Sequence, residues 1–133
     1  MKSFTDIEQS KTLAKILPIE SADMRYGYIA PYDYSDRMYD GGYDEIPYPK
    51  DFLIKNPNFS ANEYDAELPC WSLTALLELI QDDIKIEKTL FDQSDLFTYS
   101  ITSDTFEYKT YEHEELIDAC VEMIVKLNEK GIL

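Results

Sequence analysis

Apolar and polar residues recur along the chain with different rhythms, and each rhythm predicts a different element. The most apolar dozen residues run from Pro69 to Ile80. Ser72 stands where its hydroxyl can accept an orphan N–H of a first helical turn, so it is the predicted N-cap. Leu73, Leu76, Leu77 and Ile80 then share one face, widened by Ala75 and Leu79. A helix this short and apolar needs cover on most sides, which makes it the predicted centre of the fold.

Before it, Thr5-Asp6-Ile7-Glu8 has the form of a capping box, with Thr5 as the cap. Ile7, Leu13, Ala14, Ile16 and Leu17 follow on one broad side, and Pro18 ends the helix. In Met24 to Ile29, Met24, Tyr26 and Tyr28 alternate, which predicts a short strand. From Ala30 to Leu68 no period persists; prolines and Gly41-Gly42 interrupt each candidate, which predicts a long irregular connection with a helical turn near Pro49 to Lys55. After the central helix, a two-residue period returns three times: Ile84 to Leu90, Phe97 to Ile101, and Phe106 to Thr110. Short turns join these runs, so they read as an antiparallel meander with one face buried. The chain closes on its clearest helix, Glu114 to Lys130. There Leu116, Cys120, Met123 and Leu127 form a stripe flanked by Ile117 and Ile124, and Gly131 is the predicted left-handed cap. The order predicts a single α+β domain over residues 1–133: a small antiparallel sheet, a three-stranded meander with the N-terminal strand as a candidate fourth member, packed in two layers against about three helices.

Charge narrows what such a domain can meet. Twelve basic residues against twenty-seven acidic give a formal net charge of −15. Phosphate backbones and anionic membranes are repelled by such a body, so neither nucleic acid nor membrane is an expected direct partner. Solubility accounts for most of that charge, and a protein partner with a basic surface is what it can attract. Cys70 and Cys120 fall on two predicted apolar helices without CxxC spacing, which predicts reduced thiols and a cytoplasmic protein. No run approaches about 18 uninterrupted apolar residues, and no leader pattern follows Met1.

Candidate chemistry is sparse. His113, the one histidine, sits among Glu112, Glu114 and Glu115 at the start of the last helix and is expected to be an exposed helix-end residue. Asp33, Asp36, Asp40, Asp44 and Glu45 surround the Gly41-Gly42 turn. They fail the calcium-loop pattern, since taking Asp36 first puts Met38 third and Pro47 twelfth; no metal and no cofactor is expected. Cys70 precedes a helix start, where a thiolate is stabilised, yet no basic residue is near it in sequence. A packed Trp71 at the head of the helix is the better account. Seven of the eleven tyrosines, Tyr26, Tyr28, Tyr32, Tyr34, Tyr39, Tyr43 and Tyr48, lie in one stretch. Their large apolar area with a hydroxyl suits a recognition surface, and packing of the irregular stretch onto the sheet is the competing use.

Pro69-Cys70-Trp71-Ser72-Leu73-Thr74-Ala75-Leu76-Leu77-Glu78 and Asp118-Ala119-Cys120-Val121-Glu122-Met123-Ile124 resemble a group of short uncharacterised proteins of gut bacteria, their phages and mobile elements. Ile7-Glu8-Gln9-Ser10 and Glu20-Ser21-Ala22-Asp23-Met24 are similar too, so the resemblance spans the length outside residues 30–68. It implies an intracellular bacterial or phage protein and carries over no activity and no site residue. Three functions therefore remain open on sequence. The leading one is a small acidic non-enzymatic binding or accessory protein. The others are an acidic inhibitor that mimics nucleic-acid charge, and an enzyme or small-molecule binder with a pocket at the tyrosine-rich connection.

Overall fold

The computed structural model describes residues 2–29, 32–34, 37–39, 41–51, 66–80, 84–90 and 96–133. Helix α1 spans Ile7–Ala14, strand β1 Met24–Ile29, β2 Tyr32–Tyr34, β3 Arg37–Tyr39, β4 Gly42–Tyr43, β5 Tyr48–Pro49 and β6 Ala66–Cys70. Helix α2 covers Leu73–Leu79, strands β7, β8 and β9 cover Ile84–Leu90, Phe97–Ser103 and Tyr108–Lys109, and helix α3 covers Leu116–Glu129. A short 3-10 turn at Ile19–Ser21 precedes β1. Among the described residues the fold is α+β: three helices with antiparallel sheets of four and three strands, and the hairpin β2–β3.

The meander forms as its period predicts, in the order β7-β8-β9, with Ile86 opposite Ile101 and Leu90 opposite Phe97. The N-terminal strand does not join it. β1 instead organises a second sheet, paired with β6 from Met24 opposite Cys70 to Tyr28 opposite Ala66. On its other edge lie β4 and β5, where Tyr28 faces Tyr43 and Arg25 faces Tyr48. Four residues, Asp44 to Pro47, thus stand opposite only Tyr26 and Gly27, and the edge bulges there. These strands fall inside the stretch expected to be irregular. Pieces of two and three residues, broken by Gly42 at φ 155° and by prolines, carry no readable period and are held by their pairing to β1. Residues 52–65, including most of the helical turn expected near Pro49 to Lys55, lie outside the described residues.

The cap of α1 is Asp6 rather than Thr5: its carboxylate accepts Gln9 N–H at 2.7 Å while the Gln9 side chain accepts Asp6 N–H at 3.1 Å. Burial alone would raise the Asp6 pKa, but the Gln9 N–H and the Lys2 ammonium at 3.0 Å hold it below its ordinary value. Ser72 caps α2 as expected, accepting Ala75 N–H at 3.2 Å. α3 ends in a Schellman motif, with Gly131 at φ 77°, its N–H on Asn128 and the Ile132 N–H on Leu127.

Two cores result. The larger joins α2, α3 and β8 through Leu76, Ile101, Ile117, Met123 and Ile124, and takes Leu13 and Leu17 from the α1 region. The smaller lies between α1 and the second sheet and holds Tyr26, Leu68 and Cys70, with Phe4 and Ile7 against them. Consecutive residues enter different cores at the end of β6: Cys70 belongs to the smaller, Trp71 to the larger. The sequence expectation that Cys70 lies on a helix is therefore corrected. A long apolar run can straddle a strand end, a cap and a helix, and apolarity alone does not mark where they divide.

Thr5 ties the two cores. Its N–H donates to the Trp71 carbonyl at 2.9 Å, its hydroxyl accepts Trp71 N–H at 3.1 Å and shares a proton with Ser10 Oγ at 2.8 Å, and its carbonyl accepts the Tyr26 hydroxyl at 2.7 Å. Thr5, Ser10 and Trp71 are all fully buried. That commitment explains why Thr5 cannot serve as a helix cap. Thr5→Val keeps the shape and strands the Trp71 N–H and the Ser10 hydroxyl in the interior, so it is expected to cost about 1–3 kcal/mol of unfolding free energy by urea titration.

Candidate functional site

The structure divides the seven candidate tyrosines. Tyr26 points into the smaller core, 2% exposed, with its ring edge-on to Phe4 at 6.4 Å. Burial, first, and the neighbouring Cys70 push its pKa well up, so it stays a neutral hydrogen-bond donor. It is a structural residue. Tyr28 and Tyr43, opposite one another on β1 and β4, lie on the same face beyond it, half-buried, with rings 5.1 Å apart at 63°. The Lys11 ammonium stands 5.9 Å from the Tyr43 ring centroid, within the range at which a ring face attracts a cation. Tyr48 faces the other side of the sheet. Its hydroxyl crosses β1 to reach Glu67 Oε1 at 2.5 Å, above the position Gly27 leaves without a side chain. Tyr32, Tyr34 and Tyr39 belong to the β2–β3 hairpin, where Tyr32 pairs with Tyr39 and Tyr34 with Arg37; their side chains are outside the described residues. So are Asp36 and Asp40 of the acidic loop. Among the described residues, no group of three or more His, Cys, Asp or Glu side chains converges as metal ligands.

A second polar cluster escaped the sequence. His113, expected to be exposed, is half-buried, and its Nε2 lies 2.8 Å from Glu122 Oε1. Its backbone bridges to Tyr99 in both directions, at 2.6 and 2.9 Å, extending the third row of the meander beyond β9. Glu122 also accepts the Tyr108 hydroxyl at 2.5 Å and Tyr111 N–H at 3.0 Å. One carboxylate on α3 thus gathers three groups from residues 108–113. No spacing rule links Glu122 to His113, nine residues away in a different element, so only the fold could bring them together. Structurally the cluster is a latch: the Glu122 carboxylate accepts from Tyr108 and Tyr111 and contacts His113, which ties residues 108–113 to α3. Donation to Glu122, followed by burial, pushes the Tyr108 pKa up to about 12 from 10.0.

The two thiols are not nucleophiles. Cys70 and Cys120 are both fully buried, and burial pushes their pKa values up, for Cys120 to about 12. Three cavities lie elsewhere. One of about 470 Å³ opens between the 3-10 turn, Lys50 and α2; one of about 430 Å³ lies below Phe106, Leu127 and Leu133; one of about 360 Å³ runs beside Tyr108 and Lys126. Among the described residues, none of the tyrosines Tyr26, Tyr28, Tyr43 and Tyr48 lines them.

Comparison with known protein families, with curated proteins and with solved structures finds no match to the chain. No helix among the described residues is long and apolar enough to cross a membrane.

The latch has a measurable signature. Glu122→Ala removes the acceptor of the Tyr108 hydroxyl, and Tyr108 is expected to titrate nearer 10 in an absorbance titration of phenolate. In the wild type the folded Tyr108 holds its proton more tightly than the unfolded chain. Its contribution is therefore complete below pH 10 and is lost as pH rises from 10 toward 12. Unfolding free energy should fall across that window in the wild type, and fall less in Glu122→Ala.

Proposed function

We propose that this chain is a small acidic binding protein that holds a protein partner with a basic surface, and that Tyr28 and Tyr43 are its aromatic anchor. The observation that carries this reading is the Tyr28–Tyr43 ring pair: half-buried, mutually fixed at 5.1 Å, and placed on a sheet face where Tyr43 already receives a lysine ammonium. Rings held in place lose little conformational freedom when a partner arrives, which is why tyrosines anchor interfaces. The net charge of −15 supplies the long-range attraction for lysine and arginine side chains and sets the sign of the partner. Cytoplasmic location and a phage or mobile-element origin fit this reading and belong to the same proposal.

The test compares pull-downs by the wild type and by the double variant Tyr28→Ala/Tyr43→Ala, with circular dichroism confirming that both are folded. A partner recovered by the wild type at about 50 mM salt should fall steeply by about 200 mM, where surface charge is largely screened. The double variant should recover at least about tenfold less of it, as loss of two anchor rings implies. Equal recovery by both proteins, or no partner at low salt, contradicts the reading.

A further inference from the structure

Among the described residues the meander has one committed edge and one open edge. β8 is hydrogen-bonded on one side to β7 and on the other to β9 and its extension through His113. Among the described residues, β8 is the one strand paired with β7. Most of β7 is also accessible: Ile84 packs against the larger core and Glu87 is half-buried, but Lys85, Ile86, Lys88, Thr89 and Leu90 are all exposed, Ile86 by 41% and Leu90 by 51%. Seven residues of strand with exposed isoleucine and leucine, and no proline, make an edge that another strand can extend.

We infer that two copies of this chain associate by pairing β7 with β7 antiparallel about a two-fold axis at Ile86, joining their meanders into one six-stranded sheet. The charges along β7 select the partner and the register. A two-fold axis perpendicular to the sheet sets a residue against its own copy. Centring it on Lys85, Glu87 or Lys88 places a like charge against itself. Centring it on Ile86 places Ile86 against Ile86, Ile84 against Lys88 and, twice over, Lys85 against Glu87. Lysines on an edge strand ordinarily deter pairing, but in this register, alone among those that set residues of β7 against one another, each Lys85 meets a carboxylate. Lys85 and Glu87 already lie on the same side of the strand, their charged atoms 3.6 Å apart, so both face the side where the cross-strand pairs would form. β7 carries two lysines and one glutamate in a chain of net charge −15, so the contact also falls where mutual repulsion is locally relieved. Five residues of overlap are small beside the roughly 800 Å² per partner of a standard interface, and the dimer is correspondingly weak. This inference stands apart from the tyrosine reading and uses a different sheet.

Sedimentation equilibrium from about 10 μM to about 1 mM brackets the affinity expected of so small a contact. At about 0.15 M salt the Debye length is about 8 Å, which screens the overall repulsion. The wild type should rise from 15.5 kDa toward twice that mass as concentration increases. Lys85→Glu and Glu87→Lys alone should each dimerise about tenfold more weakly, because two opposite-charge pairs become two like-charge pairs. Mixed in equal amounts, the two single variants should form a heterodimer, since glutamates at 85 and 87 then face lysines at 87 and 85. The double variant Lys85→Glu/Glu87→Lys should recover the wild-type association. Both positions are surface strand positions, and unchanged thermal unfolding shows that each variant folds. A wild type that stays monomeric to about 1 mM overturns the inference, and so does a dimer indifferent to these swaps.

Discussion

The contact between Thr5 and Trp71 is the constraint on which the rest depends. A residue near the chain's N-terminus and one at the end of β6 exchange two backbone-anchored hydrogen bonds in an interior where neither has any water. Around that exchange the neighbours are forced. The Trp71 indole N–H reaches Ser21 at 2.9 Å, so the 3-10 turn sits against it; the Ser72 N–H reaches Asp23 at 2.9 Å, which fixes where β1 begins. Leu73 N–H donates to the Ser3 carbonyl at 3.0 Å, so the first turn of α2 is read off the N-terminal segment. Burying this many polar groups is tolerable because they satisfy one another; leaving any of them without a partner costs far more than the net gain of a single hydrogen bond.

What the junction leaves at the surface follows from it. With β1 pinned at Asp23 and its even-numbered side chains turned to α1, Tyr26 is drawn inward and Tyr28 is left just past the helix, where it meets Tyr43. Tyr48 is turned to the opposite side by the same alternation. The four tyrosines of that stretch whose side chains are described are thus one structural residue, one paired aromatic face and one residue bound across the sheet. At the meander, Glu122 closes residues 108–113 onto α3, and among the described residues β7 is left as the edge with no strand beside it.

Local chemistry was legible in the sequence where it was self-sufficient. Ser72 caps α2, the stripe on α3 is buried at Cys120, Met123 and Leu127 with Leu116 half-buried at its start, Gly131 takes the left-handed cap, and the alternating runs pair as a meander whose third strand is shorter than its period predicts. Long-range demands were not legible. Thr5 is as good a cap as Asp6 on local grounds and is excluded only by Trp71, sixty-six residues away. β4 and β5 are too short for any period, and exist because β1 offers an edge. Phe106, expected in the third strand, lies in a tight turn where Glu107 takes φ 50°, a conformation that a glutamate adopts only under the constraint of its neighbours. His113 was placed correctly in sequence and wrongly in space, because its partner comes from a helix face that no local pattern identifies.

Native-state hydrogen exchange tests the central claim most directly. If Thr5 and Trp71 join the two cores, their amide protons exchange only through global unfolding, with the same opening free energy and denaturant dependence as Met123 and Ile124 in the middle of α3. Thr5 or Trp71 exchanging through a cheaper local opening, while α3 remains protected, would show that the cores are held together by something else.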